Sequence, residues 1–325
     1  MQKRTITFTG SQEEINLIKK LWSRKVLPKF IFIDNCVVTD INNNVHNDPN
    51  EKDPLKLDVF NYLRMNDIEN NNISLLLVIL EKLLNTDTES SQEEIISSII
   101  NYDMPNVLSF FKNAKLYEPE KAVYDFINHI DGFKKVDSLY KKFLLDVNRE
   151  LKLYNKISDK PENSKKRIAT VHHLLDIAKK YDISPDDPIT LTCISHIYRL
   201  PEAQAVLKFS NNVTNFSTSN ALSDILVLTR INFINGLLKQ ANLDRFEIIF
   251  KTSDRGLHNL NQKFNFIKFN TIDKENYTFS HTFEFHYKHL LYCICNEKGE
   301  ILTECKKEAC EIYKNLGINL SDYID

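Results

Sequence analysis

Two short apolar runs of the chain have the pattern of buried strands. Residues 29–34, KFIFID, are almost continuously apolar, which is typical of a strand covered on both faces. Residues 245–257, RFEIIFKTSDRGL, predict a second strand that runs into a turn, and 263–270, KFNFIKFN, predict a third. An aspartate closely follows the apolar residues of each of the first two runs: Asp34 in one and Asp254 in the other.

Apolar residues at helical spacing dominate the middle of the chain, from about residue 91 to about residue 208. Residues 74–85, SLLLVILEKLLN, are apolar almost all round and predict a deeply buried helix with Glu81 as its one acidic residue. Residues 219–240 predict a long helix, and Asp224 falls in its first turn.

The two ends of the chain add shorter predicted elements. Residues 4–10 alternate like a strand, and residues 11–25 follow as a helix. Near the other end, residues 277–302 predict an antiparallel ribbon that turns at Lys298–Gly299, and a final helix covers about residues 304–315.

The order of these elements predicts an α/β protein with a mainly parallel central sheet. A large all-helical insertion interrupts the sheet in sequence, and a β-ribbon lies in the C-terminal part of the chain. We therefore expect three parts: residues 1–84 and 209–325 form the core together, and residues 85–208 form the helical insertion.

Composition and charge exclude some classes of protein. The chain is 42% hydrophobic and 26% charged with a net charge of −2, so it has no global signature of nucleic-acid binding. Residues 1–14 lack the long apolar core of a signal peptide, so we expect no secretory signal, and no apolar run approaches the roughly 20 residues of a membrane span. Its six cysteines are scattered along the chain, which favours a reducing, cytoplasmic location.

Basic residues are concentrated in one segment. Residues 133–170 carry eleven lysines and arginines against five acids. A solvated helix face is the simplest interpretation of this run, and a surface that follows nucleic-acid phosphates is the alternative. In the second interpretation we expect Lys165, Lys166 and Arg167 to contact the nucleic acid.

Four carboxylates are placed where they could meet. Ligands of open α/β sheets bind beyond the carboxyl ends of the strands, where Asp34 and Asp254 would share a crevice if their strands are neighbours. Asp224 begins a helix that would also face the strand ends. Glu81 lies in a helix too apolar to tolerate a carboxylate without a partner.

The chemistry of such a cluster predicts a metal ion, because four acids in one crevice repel each other unless a cation neutralises them. Mg²⁺ and Mn²⁺ prefer oxygen ligands, and such ions activate water and stabilise the charge on a phosphodiester. Each acid also has a structural interpretation: Asp34 as a cap, Asp224 in the helix dipole, Asp254 as a turn residue, and Glu81 paired with a basic residue.

Several motifs resemble those of PIN-like nucleases. FIDNCVV resembles the opening strand of that family, NALSDILVLTRI the helix that carries its third acid, and KTSDRGL its closing motif. Residues 187–209, followed by NALSD, are also similar to a bacterial branch of PIN-like proteins. The resemblance covers about a quarter of the chain.

The resemblance implies a three-layer PIN-like core and a metal-dependent nuclease, usually acting on RNA rather than DNA. It assigns Asp34, Asp224 and Asp254 to a Mg²⁺ or Mn²⁺ site, with Glu81 as the fourth acid. It also implies that Asn35 supports the first ligand and that Thr252 or Ser253 orients the site. The long helical segment departs from the family pattern, so the alternatives to Glu81 are Asp186, Asp187 and Glu202.

Other interpretations stay open. The resemblance to this family suggests that the protein is a toxin or phage-defence effector, which an inhibitory protein partner restrains. A non-catalytic interaction protein, whose helical insertion docks a partner, is the main alternative. A dehalogenase-type phosphatase fits poorly because Cys36 stands where its second acid would be. A zinc site is a further alternative, with Cys293, Cys295, Cys305 and Cys310 as its candidate ligands.

Overall fold

A computed structural model of the chain describes residues 27–85, 90–127, 131–212, 215–240, 246–273 and 278–317. The predicted strand at residues 4–10 and the predicted helix at residues 11–25 lie outside these ranges. No helix in the described part of the chain is both long and apolar enough to cross a bilayer.

Four parallel strands form the main sheet of the described chain. They are β1 (Lys29–Ile33), β2 (Asn72–Ser74), β3 (Lys115–Leu116) and β4 (Glu247–Lys251), in the spatial order β3-β2-β1-β4. The pairing of β1 with β4 places Ile33 opposite Lys251, so both strands end at the same edge of the sheet. The prediction of an α/β fold with a mainly parallel sheet is confirmed.

Side chains of β1 alternate between two buried cores, which explains why its sequence is apolar without interruption. Ile31 and Ile33 pack into one core, and Phe30 and Phe32 pack into the other; all four are at most 3% exposed. Burying each such side chain contributes about 1.5–3 kcal/mol to folding. Buried side chains of helices contribute to both cores.

The helices divide between the two faces in chain order. Those packed against the Ile31 face are α1 (Asn35–Asn42), α2 (Pro54–Met65), α3 (Leu76–Leu84), α4 (Gln92–Ser98), α5 (Met104–Phe110) and α6 (Glu120–Ile127). The helices with buried side chains in the same core as Phe30 are α7 (Asp131–Asp146), α8 (Ser164–Lys180), α9 (Pro188–Ile197), α10 (Pro201–Leu207), α11 (Thr218–Gln240), α12 (Arg255–Asn261), α13 (Tyr287–Leu290) and α14 (Lys306–Asn315).

The segment 85–208 is not all helical, which corrects the prediction. Strand β3 lies inside it and joins the main sheet, because Lys115 N donates to Asn71 O and Tyr117 N donates to Ile73 O. A strand of two residues has no sequence period long enough to be recognised. Helices of this segment also cover both faces of the sheet. The expected boundaries near 84 and 208 stay predictions.

The C-terminal ribbon exists, but its pairing differs from the prediction. Strand β5 (Phe264–Asp273) pairs antiparallel with β6 (Thr278–Phe285) in a separate two-stranded sheet. The chain leaves β6 at His286, whose side chain accepts a hydrogen bond from Lys288 N and caps α13. At the predicted turn of the ribbon, the chain forms one isolated β-bridge, between Cys295 and Ile301, and a turn at Gly299, with φ of 83°.

Candidate functional site

Asp34 lies where β1 and β4 end together. Its backbone N–H donates to Lys251 O at 3.0 Å, which extends the strand pairing by one residue. Its carboxylate Oδ2 accepts a hydrogen bond from Thr252 Oγ1 at 2.8 Å, and the residue is only 4% exposed. Burial raises the pKa of this carboxyl, the bond from Thr252 opposes that shift, and the charge of Asp254 adds to it.

Asp254 is held beside Asp34 by the same threonine. Its backbone N–H donates to Thr252 Oγ1 at 3.0 Å, and its own Oδ1 accepts from Leu257 N at 2.8 Å. The predicted turn is therefore the start of a helix, with Asp254 as the N-cap of α12. Gly256 lets the elements approach, since a Cβ there would lie 3.1 Å from both Asp254 Oδ1 and Ala205 Cβ.

Glu81 projects from α3 and contacts Asn35, the residue that follows Asp34. Asn35 Nδ2 donates to Glu81 Oε1 at 3.0 Å, whereas the buried Oδ1 of the same amide has no hydrogen-bond partner. Burial raises the pKa of Glu81 to about 7, and the charge of Asp34 adds to the shift. This carboxyl therefore gains and loses a proton near neutral pH.

Asp224 completes the group from α11. Burial raises its pKa well above the ordinary value, and the charges of Asp34, Asp254 and Glu81 raise it further. All three other acids therefore lie close enough to act on it. The prediction that Asp224 falls in the first turn is wrong, because the helix begins earlier, at Thr218.

Thus four carboxylates from four distant segments gather at one edge of the sheet; we call Asp34, Glu81, Asp224 and Asp254 the acidic cluster. None of them forms an ion pair with a basic side chain in the described part of the chain. Unpaired charges in a partly buried crevice are unfavourable, because they lose water without gaining a partner. The raised pKa values express that cost.

The donor atoms of the acidic cluster suit a hard divalent cation. The cluster offers carboxylate oxygens, and the unpartnered Asn35 Oδ1 adds a neutral oxygen. Burial raises the pKa of the neighbouring thiol of Cys36, and the charges of all four acids act on that thiol and raise its pKa further. Among the described residues, however, no three His, Cys, Asp or Glu side chains are already spaced to hold a metal ion.

Ser253 does not face the acidic cluster. Its Oγ donates to Asp40 Oδ2 at 2.7 Å, and Lys56 Nζ binds Asp40 Oδ1 at 2.8 Å. The sequence-based expectation allowed either Thr252 or Ser253 to orient the site. The observed contacts support Thr252, which bonds to Asp34 directly.

The three alternatives to Glu81 are engaged elsewhere. Asp186 accepts a hydrogen bond from Ser184 Oγ, and Glu202 pairs with Lys263 at 3.4 Å. Asp187 caps α9 by accepting from Ile189 N at 2.9 Å and also accepts from Tyr140 at 2.7 Å. None of them is among the charges that shift the pKa values of the cluster, so position favours Glu81.

Only two of the three residues predicted to form a nucleic-acid-binding patch are exposed. Lys165 and Lys166 are exposed at the start of α8, but Arg167 is fully buried. Its Nε and Nη2 donate to the two oxygens of Glu308, each at 2.7 Å. The inclusion of Arg167 in a surface patch is wrong because its partner lies 141 positions away, beyond the reach of local sequence reasoning.

The candidate zinc ligands differ in their surroundings. Cys305 is buried, Cys293 and Cys295 are half-buried, and Cys310 is exposed. An isolated β-bridge between Cys295 and Ile301 closes the turn at Gly299, so the backbone of Cys295 belongs to that turn. The structure describes no set of these thiols arranged around a common point.

Sequence reasoning also missed residues around the cluster. Arg230 and Lys82 act on Glu81 through their charges and lower its pKa, and Lys208 does the same to Asp224. Lys82 directly follows Glu81 in α3, but nothing in the local sequence marks Arg230 and Lys208, because the acids they act on belong to other elements.

Comparisons of the chain with protein-family models, with curated proteins and with solved structures found no match.

Proposed function

We propose that the protein is a metal-dependent nuclease of the PIN-like kind, most simply an endoribonuclease that hydrolyses phosphodiester bonds with acid-bound Mg²⁺ or Mn²⁺. One observation carries the proposal: four carboxylates from four segments gather where none has a basic partner, and their charges raise the pKa values of Asp34, Glu81 and Asp224. A bound cation would relieve that repulsion. The motifs around Asp34, Asp224 and Asp254 support the same family.

The residues of the chain have distinct parts in this proposal. When bound, the divalent ion supplies Lewis-acid chemistry that activates water and stabilises charge on phosphorus. Thr252 donates to Oδ2 of Asp34 and so holds that carboxylate in place. Asn35 Nδ2 donates to Glu81 Oε1 and so holds that carboxylate near Asp34.

The wider role follows from the sequence motifs rather than from the site. RNA is the expected substrate, with Lys165 and Lys166 as candidate contacts. A cytoplasmic toxin or phage-defence effector, restrained by a protein partner, fits the habit of PIN-like nucleases. Examination of the neighbouring genes for an inhibitor would test this part of the proposal.

The direct experiment incubates the protein with labelled RNA and DNA oligonucleotides and Mn²⁺. We expect wild-type protein to cleave RNA, and Asp34→Asn or Asp254→Asn to lower the rate at least about a hundredfold, since each removes a metal ligand. Asp186→Asn is the matched control, because it makes the same chemical change at an exposed acid outside the cluster. Its rate should equal that of the wild type.

Two results would contradict the proposal. The first is cleavage that Asp34→Asn and Asp254→Asn leave unchanged, which would identify a contaminating nuclease. The second is equal, negligible Mn²⁺ binding to wild-type and variant protein by calorimetry, which would favour a non-catalytic interaction protein.

A further inference from the structure

Two of the basic side chains near the acidic cluster are already neutralised by other acids. Arg230 donates to both oxygens of the buried Asp137, at 3.0 and 3.2 Å. Lys82 Nζ lies 2.6 Å from Asp103, which is also buried. Both act on Glu81 from within such pairs, so neither is free to bind an incoming anion.

Lys208 differs from both of them. It is exposed, and its ammonium group forms no ion pair or hydrogen bond with any residue that the structure describes. It nevertheless lies near enough to Asp224 for its charge to act on that carboxyl. It is therefore a basic side chain beside the cluster whose hydrogen-bonding capacity is unused.

The backbone gives Lys208 a fixed place at the edge of the crevice. It is the C-cap of α10 and has a left-handed conformation, with φ of 47°. Helix α10 packs against α12, which Asp254 caps, and against α11, which carries Asp224. Ala205, in the last turn of α10, lies beside Gly256 of α12 and close to Asp254 Oδ1, so the end of α10 that Lys208 caps is next to the acidic cluster.

The charge of a nuclease substrate explains why such a lysine would be useful. A nucleic-acid strand carries a negative charge at every phosphate, and four carboxylates repel it even after a divalent ion neutralises part of their charge. Lysine is a flexible point charge that suits a phosphate whose position varies. We propose that Lys208 is a substrate-binding residue that contacts a phosphate of the nucleic-acid strand on the α10–α11 side of the acidic cluster.

This inference rests on the proposed nuclease function, and the structure offers a matched control for it. Lys152 is also an exposed lysine in a left-handed C-cap, with φ of 50°, but it does not act on the acidic cluster. The variants are Lys208→Asn and Lys152→Asn, because asparagine removes the charge and accepts the left-handed conformation. Lys208→Arg keeps the charge.

Binding is measured by fluorescence anisotropy with a labelled single-stranded RNA, in Ca²⁺ so that hydrolysis is slow. For Lys208→Asn we expect the Kd to rise about fivefold and the slope of log K against log salt to fall in magnitude by about 0.7, one phosphate contact. Lys208→Arg should restore binding, and Lys152→Asn should match the wild type. In Mn²⁺, Lys208→Asn should raise KM and leave kcat nearly unchanged.

The outcomes separate this inference from the nuclease proposal. Cleavage by wild-type protein with no effect of Lys208→Asn on Kd, salt slope or KM would overturn the inference alone. Binding that depends on Lys208, without cleavage in any metal, would support the inference and overturn the nuclease. An equal loss of affinity in Lys152→Asn, or no RNA binding by the wild type, would also overturn the role of Lys208.

Discussion

The protein treats buried charge in two opposite ways. On the Phe30 side of the sheet, Arg167 and Glu308 form a fully buried pair with two hydrogen bonds of 2.7 Å, and Tyr198 donates a third bond to Glu308 at 2.8 Å. At the edge of the same sheet, Asp34 and its three neighbours face one another with no basic partner. The fold can therefore give both oxygens of a buried carboxylate their hydrogen-bond partners.

The difference between these two sites indicates which buried charges stabilise the fold and which are left without a partner in the described chain. The Arg167–Glu308 pair joins α8 to α14 and is complete within the chain, because each donor and acceptor of the pair meets another. The acidic cluster is incomplete within the described chain, as its unpartnered Asn35 Oδ1 also indicates. Partners from outside the chain are the simplest completion.

The largest expected effect breaks the complete pair. Arg167→Met leaves Glu308 buried and unpaired, so we expect a loss of about 3–5 kcal/mol in the free energy of unfolding. The control is the double variant Arg167→Met with Glu308→Leu, which should lose much less because no charge remains unpaired. Denaturant unfolding measures both. A single variant within about 1 kcal/mol of the wild type would contradict the comparison.

The acidic cluster should respond to pH in the direction of its raised pKa values. The folded protein holds a proton on Glu81 up to a pKa of about 7, against an ordinary value of 4.5, so it binds more protons than the unfolded chain. The stabilisation is therefore complete below pH 4.5 and is lost as pH rises through about 7. Glu81 contributes about 3 kcal/mol at most, and the raised pKa values of Asp34 and Asp224 act in the same direction.

Unfolding with a chelator present, at a series of pH values, tests this dependence. The control is Glu81→Gln, which keeps the hydrogen-bonding shape without the titration and should flatten the curve between pH 5 and pH 8. A wild-type stability that rises over this range would show that the acids are not destabilised by one another.

Removing one acid of the cluster should stabilise the metal-free protein. For Asp224→Asn we expect the free energy of unfolding at pH 8 to rise by about 1–2 kcal/mol, because one repulsive charge disappears. The same variant should lose the rise in Tm that Mn²⁺ gives to the wild type. Asp176→Asn, on the exposed side of α8, is the control and should change neither quantity.

A smaller effect is expected from Asn35→Ala, which removes the unpartnered Oδ1 and the bond to Glu81. We expect Mn²⁺ affinity to fall about tenfold in calorimetry, as for other residues that orient metal ligands. Asn101→Ala removes an exposed amide far from the cluster in sequence and should leave the affinity unchanged. Equal affinity in both variants would remove Asn35 from the site.

The smallest effect concerns the basic surface. Replacing Lys165 and Lys166 with glutamine should weaken RNA binding about threefold at moderate salt, because two exposed contacts are lost. Arg167 is kept, since its removal would disturb folding rather than binding. A matched pair of exposed lysines, Lys112 and Lys115, serves as the control. The same affinity for both double variants would exclude this surface.

Much of the fold could be predicted because its signals are local. The apolar run of β1 and the almost uniformly apolar helix α3 each reflect burial on every side, which one segment of sequence reveals. The meeting of Asp34 and Asp254 followed from one general rule about strand ends, together with the assumption that their strands are neighbours.

The remaining features depend on contacts between distant segments. β3 forms a strand because β2 pairs with it. Arg167 can be buried because Glu308, on another helix, accepts its hydrogen bonds. Ser253 and Thr252 are neighbours with hydroxyl groups, yet only the fold decides which one meets Asp34. The sequence around each of these residues does not identify its partner.

The hydrogen bond between Thr252 and Asp34 joins positions 218 apart in the chain. At about 5–20 residues per second, a ribosome needs roughly ten to forty seconds to synthesise the intervening segment. During that time the nascent polypeptide carries Asp34 but lacks β4, so the crevice has only one wall. The acidic cluster can therefore assemble only after the ribosome has passed Asp254, late in the synthesis of the chain.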